Sequence, residues 1–154
     1  MQSPEADQSH SRATLTLAVS RAGFRITDAR RAIIDLILTR DGAFDSSDLI
    51  ADARRRKLVV GRATIFRMLD VLADLGAIER IDLPNGAHSY VRCLGSRHHH
   101  HLVCTNCQRS SDVEDGGIAD LVVAMAQSAG YVLEHHRLEL FGICPSCQGR
   151  SRDK

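Results

Sequence analysis

No apolar run in the 154 residues approaches the ~18–20 that a membrane-spanning helix needs, which excludes a helical span. Met1 to Arg12 is polar and carries no signal-peptide core. Tryptophan is absent, and beyond one histidine run there is no low-complexity segment and no internal repeat. Neither sign of charge dominates: 20 Lys+Arg stand against 19 Asp+Glu, a net charge of +1. Whole-chain charge therefore assigns no partner. These absences point to a soluble cytoplasmic protein with no membrane partner. Apolar residues make up 44% and charged residues 25%, close to the globular average, so disorder is not expected. The length suits one ordinary domain or two small ones. Two parts of roughly 60–90 residues have thin cores and usually need a staple.

The five cysteines suggest the staple. Four form two pairs, Cys104-Thr-Asn-Cys107 and Cys144-Pro-Ser-Cys147, and the fifth is Cys93. Two C-x-x-C knuckles fit a structural zinc site of four thiolates, each knuckle giving two ligands from a tight turn. The gap between Cys107 and Cys144 is longer than a minimal zinc ribbon needs, so a small folded segment must sit inside it. The competing reading is a pair of redox dithiols or disulfides. For Cys93 the bland reading is a buried core thiol.

Periodicity orders the first part. Residues 1–13 read as a flexible tail, with a short helix over 15–22. Thr27 is placed to cap a helix through Leu38, with Ala32, Ile33, Leu36 and Ile37 on one face. Ser46 or Ser47 is expected to cap a third helix, which runs into Arg54-Arg55-Arg56-Lys57. Gly61 breaks the chain before a fourth helix from Arg62 to Leu75, closed by Gly76. Ala77 to Leu83, the turn Pro84-Asn85-Gly86, and Ala87 to Cys93 read as strand, turn and strand. Helices followed by a hairpin make a winged helix-turn-helix. Between Arg21 and Arg67 there are 11 basic residues against six acidic ones. A basic helical part in a near-neutral chain suits DNA binding.

The second part reads as mixed α/β. His98 to Val103 is expected as a strand entering the first knuckle, and Ser111 to Asp115 as a second strand. A helix with Ile118, Leu121, Val122 and Met125 on one stripe follows, and a strand within Tyr131 to Ile143 returns to the second knuckle. The predicted fold is α+β. A winged-helix DNA-binding domain covers residues 14–92, a hinge 93–97, a dimerisation and metal-binding domain 98–148, and a C-terminal tail 149–154. On a strand the run His98-His99-His100-His101 alternates faces. His98 and His100 point one way, His99 and His101 the other, so each pair can seed a metal site. Completing ligands would come from Cys93, Glu79, Asp82, Glu114, Asp120, His135 or His136.

This order of motifs resembles the ferric uptake regulator family of bacterial metal-dependent repressors. The resemblance covers roughly residues 14–148. It is most specific in Gly61-Arg-Ala-Thr-Ile-Phe-Arg67, in His98 to Cys107 and in His136 to Cys147. Within the family the chain is most similar to the zinc uptake regulator branch, which places a cysteine shortly before the histidine run. The resemblance implies a regulatory site of Glu79, Cys93, His99 and His101. One ion bound by all four would clamp two domains and set the spacing of two recognition helices in a homodimer on an inverted-repeat operator. One sulfur, two imidazoles and a carboxylate suit zinc. A third family site would use His98, His100 and His136 with a carboxylate, but Ala119 stands at that place with Asp120 beside it. Arg62, Thr64, Phe66 and Arg67 are the expected DNA contacts on the fourth helix, with Arg67 reading guanine. Phe66 replaces the family's usual tyrosine, and Arg25 matches a basic position used near the minor groove or backbone. The cofactor implied is zinc, structural and regulatory, with double-stranded DNA as partner and no small-molecule substrate. The rival readings are a relative sensing iron, manganese, nickel or peroxide, a zinc hydrolase, and a zinc-stapled module that never touches DNA. The hydrolase lacks H-E-x-x-H, and four protein ligands would close its coordination sphere.

Overall fold

A computed structural model describes residues 4–93, 99–114 and 116–150. The chain divides into two compact units, Met1–Leu94 and Gly95–Lys154. The first holds four helices and a hairpin: α1 Pro4–Arg21, α2 Asp28–Leu38, α3 Ser46–Arg55, α4 Arg62–Asp74, β1 Ile78–Asp82 and β2 His88–Arg92. The second holds β3 His99–Cys104, β4 Ser110–Glu114, α5 Ile118–Ser128, β5 Glu139–Gly142 and α6 Pro145–Arg150.

Apolar stripes of three helices build the core of the first unit, and on α2 Ile34 enters it while Ala32, expected on that face, is only half-buried. Ile33, Ile34, Leu36 and Ile37 of α2 meet Leu49 of α3, and Ile65, Met68, Leu69 and Leu72 of α4. Each such side chain, fully buried, contributes about 1.5–3 kcal/mol. Leu15 and Val19 of α1 and Ile78 of β1 close the cluster. Helix α1 differs from expectation. It begins at Pro4 and takes in residues read as a tail. The added turns are polar and carry no apolar stripe to mark them. Arg12 Nε pairs with Asp35 Oδ1 of α2 at 2.5 Å.

Helix starts follow their caps. Thr27 accepts the Arg30 N–H and caps α2. The cap of α3 is Asp45, not Ser46 or Ser47. Its carboxylate accepts the Asp48 N–H, and the Asp48 carboxylate accepts the Asp45 N–H, a reciprocal box that a serine one residue on cannot close. Helix α4 is capped by Leu75 and followed by Gly76, whose φ of 67° only a residue without Cβ adopts freely.

The wing is antiparallel, with Ile78 opposite Arg92 and Asp82 opposite His88. It is anchored by an isolated bridge in which Phe44 and Tyr90 exchange backbone hydrogen bonds of 2.9 and 2.7 Å. Strand β3 is central in the second unit's sheet, order β4-β3-β5. It runs antiparallel to β4 and parallel to β5. Helix α6 runs through Gly149 to Arg150, into the first two residues of the expected C-terminal tail, and residues 151–154 lie outside those described. His98 and hinge residues 94–97 lie outside the described residues. Among those described, no helix is long and apolar enough to cross a membrane.

Candidate functional site

The parallel pairing of β3 with β5 explains how two distant knuckles meet. Parallel neighbours end on the same side of a sheet, and Cys104 at the end of β3 lies in register with Gly142 at the end of β5. The first knuckle is the turn from β3 to β4, closed by Cys104 N–H to the Arg109 carbonyl at 2.9 Å and by Gln108 N–H to the Cys104 carbonyl at 2.9 Å. The second opens α6, where the N–H groups of Cys147 and Gln148 both donate to the Cys144 carbonyl at 2.9 Å. Thr105 N–H donates to the Gly142 carbonyl at 2.9 Å and joins the two.

Sulfur atoms of Cys104, Cys107, Cys144 and Cys147 lie within 4.8 Å of one another, and none is joined by a disulfide. Cys107 Sγ and Cys144 Sγ are 3.7 Å apart. A tetrahedron with Zn–S of ~2.3 Å has sulfurs ~3.8 Å apart, so the donor set fits zinc in number, type and spacing. The electrostatics agree. The Cys144 N–H donates to Cys104 Sγ at 3.3 Å. That bond, with the N–H groups of Cys107 and Asn106, lowers the Cys104 thiol to about 6. Its neighbour Cys144 and burial push Cys147 up to about 12. Crowded thiols resist sharing negative charge, and a divalent cation removes that conflict.

Regulatory candidates fall in both units. In the wing, Cys93 follows β2, and its N–H donates to the Ala77 carbonyl at 2.9 Å. Cys93 Sγ lies 4.0 Å from Glu79 Oε2 of β1. The hairpin thus puts a soft and a hard donor side by side. His99 opens β3 and His101 stands two residues on, buried at 3% exposure. Of the third set, His100 and His136 come together with ring centroids 5.6 Å apart. His98 is not described, and Ala119 in α5 offers a methyl group where a carboxylate was needed.

The expected DNA contacts lie on α4 and in the connection from α1 to α2. Helix α4 buries Ile65, Met68, Leu69 and Leu72 and turns Arg62, Phe66 and Arg67 to solvent, Phe66 being 49% exposed. Arg25, Thr64 and Arg67 line one open cleft of about 550 Å³. Phe24, Arg30 and Asp70 share it, and sequence reasoning passed over these three. Their only signal was nearness in the chain to Arg25 and Arg67.

Comparison with known proteins places the chain. The family model described as the ferric uptake regulator family matches residues 21–141. A zinc uptake regulation protein of Mycobacterium tuberculosis is 33% identical over 131 residues, 84% of this chain and 99% of that one. An iron-bound ferric uptake regulator of Francisella tularensis is 27% identical, with a TM-score of 0.67 over 82% of this chain and 96% of the other. A zinc uptake regulator solved with zinc and DNA is 22% identical, with a TM-score of 0.74 over 94% and 97% of the two chains, and shares the fold. A winged-helix unit and a knuckled α/β unit, in this order and matched over most of their length, make the chain a member of the ferric uptake regulator family of metal-sensing transcriptional regulators.

Proposed function

We propose that the chain is a zinc-sensing transcriptional repressor of the cytoplasm that binds an inverted-repeat operator as a homodimer when its regulatory site is loaded. The observation that carries the choice of metal is the approach of Cys93 Sγ to Glu79 Oε2 on the wing. A thiolate ligand favours zinc over hard or octahedral ions. The regulatory ligands in this reading are Glu79, Cys93, His99 and His101. They come from both units, so a bound ion restricts the orientations the units can adopt, and DNA in turn tightens metal binding. A second zinc, held by Cys104, Cys107, Cys144 and Cys147, is structural.

The dimer has its support in α5. Its apolar residues Leu121, Val123 and Met125 are 60%, 39% and 61% exposed, and none of its residues is buried. A second copy would cover these exposed side chains, and a twofold pair presents two identical α4 helices, which call for an inverted repeat. Arg62, Thr64, Phe66, Arg67 and Arg25 are the proposed contacts. Phe66 supplies stacking and thymine-methyl contact without a phenol hydroxyl.

The test is selection of duplexes from a randomised pool, with metal content measured on the same preparation before and after mild chelation. Enrichment of an inverted repeat, with binding lost on chelation and restored by zinc but not by iron or manganese, is expected. Restoration by iron or manganese alone would assign a different metal. Failure to enrich any sequence would remove the DNA-binding function.

A further inference from the structure

Arg30 lies in the first turn of α2, and its side chain turns back over the connection from α1. Its guanidinium carbon stands 5.5 Å from the centroid of the Phe24 ring. Its Nη1 donates to the Arg25 carbonyl. Its backbone N–H is held by Thr27 Oγ1 at 3.3 Å, so the side chain springs from a capped helix end. One planar group thus grips both Phe24 and Arg25 in a segment of irregular backbone. A planar guanidinium can lie over the ring while one edge N–H donates to the carbonyl, a pair of contacts that the compact, strongly hydrated ammonium of lysine reproduces poorly. Phe24, Arg25, Arg30, Thr64 and Arg67 line the same cleft.

We infer that Arg30 is a positioning residue for operator binding. It fixes the Phe24–Arg25 segment so that the Arg25 guanidinium stays on the cleft shared with Thr64 and Arg67, and it acts on DNA through Arg25. Its stacking face and one of its donors are committed inside the protein, which sets it apart from the arginines of α4. The inference rests on the DNA-binding reading above and deepens it.

The experiment is a double-mutant cycle on the duplex selected by the zinc-loaded wild-type protein, measured across a range of salt. Arg30→Ala is expected to weaken operator binding roughly tenfold, within the usual coupling range for contacting residues. The Arg25→Ala and Arg30→Ala double variant is expected to bind no more weakly than Arg25→Ala alone. Arg30→Lys should fail to rescue, since it restores the charge but neither the fork nor the stack. Phe24→Leu, which removes the ring and leaves every charge, should weaken binding in the same direction and also be non-additive with Arg25→Ala. A direct phosphate contact by Arg30 predicts the opposite: additive losses, rescue by Lys, and a salt slope reduced by about one whether or not Arg25 is present. That result, or unchanged binding by Arg30→Ala and Phe24→Leu, overturns the inference while the DNA-binding reading stands. If the zinc-loaded wild type selects no duplex, the functional reading fails and takes this inference with it.

Discussion

Cys93 shows how much can turn on one side chain. It continues the wing past β2, bonded through its N–H to Ala77, and its sulfur faces Glu79. A core thiol and a regulatory ligand make different predictions for its removal. Cys93→Ala deletes one sulfur at a half-buried position, so the fold and the structural zinc should remain. Loss of a ligand should weaken zinc-dependent operator binding by at least roughly tenfold, since even outer partners of a metal site cost that much. Metal-independent binding at low salt should not change. Cobalt substitution reads the site directly: the exchangeable site should show a sulfur-to-cobalt charge-transfer band that Cys93→Ala lacks. A variant that keeps the band and a normal zinc response would make Cys93 a core residue.

At the scale of elements, the helix ends carry a contrast. α4 closes with Ala77 N–H on the Leu72 carbonyl and Gly76 N–H on the Ala73 carbonyl. α3 closes with the same pattern, Leu58 N–H on Ala53 and Lys57 N–H on Arg54. The position that Gly76 fills with φ 67° is filled in α3 by Lys57 with φ 53°. A side chain in this left-handed region costs about 1–2 kcal/mol, against about 0.5–1 kcal/mol of extra chain entropy for glycine. Losing a cation at the helix C-terminus costs about 0.3 kcal/mol. Lys57→Gly is therefore expected to stabilise the first unit by about 0.5 kcal/mol, read as a higher urea midpoint at unchanged slope. An equal or lower midpoint would mean that the Lys57 side chain stabilises the fold in some other way.

The whole molecule has two sources of stability. The buried apolar cluster that includes Val19, Phe44 and Leu72 belongs to the first unit. The second has a three-stranded sheet, an α5 with no buried residue, and four clustered sulfurs. Structural zinc binding is itself folding free energy in such small parts. Cys104→Ser should therefore cost the second unit its fold and the protein its dimer, while the core of the first survives. Hydrogen exchange checks this residue by residue. Protection should vanish across β3, β4 and β5 and persist across α2 and α4, and sedimentation should show a monomer. A Cys104→Ser protein that stays dimeric with β3 protected would show that zinc is not the staple.

What the sequence decided by itself was local. Apolar residues three and four apart marked α2 and α4, Thr27 and Gly76 announced their ends, and the spacing of Cys104, Cys107, Cys144 and Cys147 announced a cluster of four thiols. These signals lie within one turn or one knuckle, where neighbours in the chain are neighbours in space. The first turns of α1 stayed hidden because a polar helix has no stripe, and Asp45 was passed over because the two serines beside it are equally good caps. Tertiary structure alone decided that β3 and β5 run parallel, which carries Cys104 to Cys144 across 40 positions. It also decided that Phe44 bridges to Tyr90, that buried Asp52 pairs with both Arg40 and Arg55, and that Arg30 lies over Phe24. Most of these contacts join residues far apart in the chain, and their geometry depends on how whole elements pack. Even the short-range ones depend on the turn between α1 and α2 or on the burial of a helix face. No window of sequence contains that information.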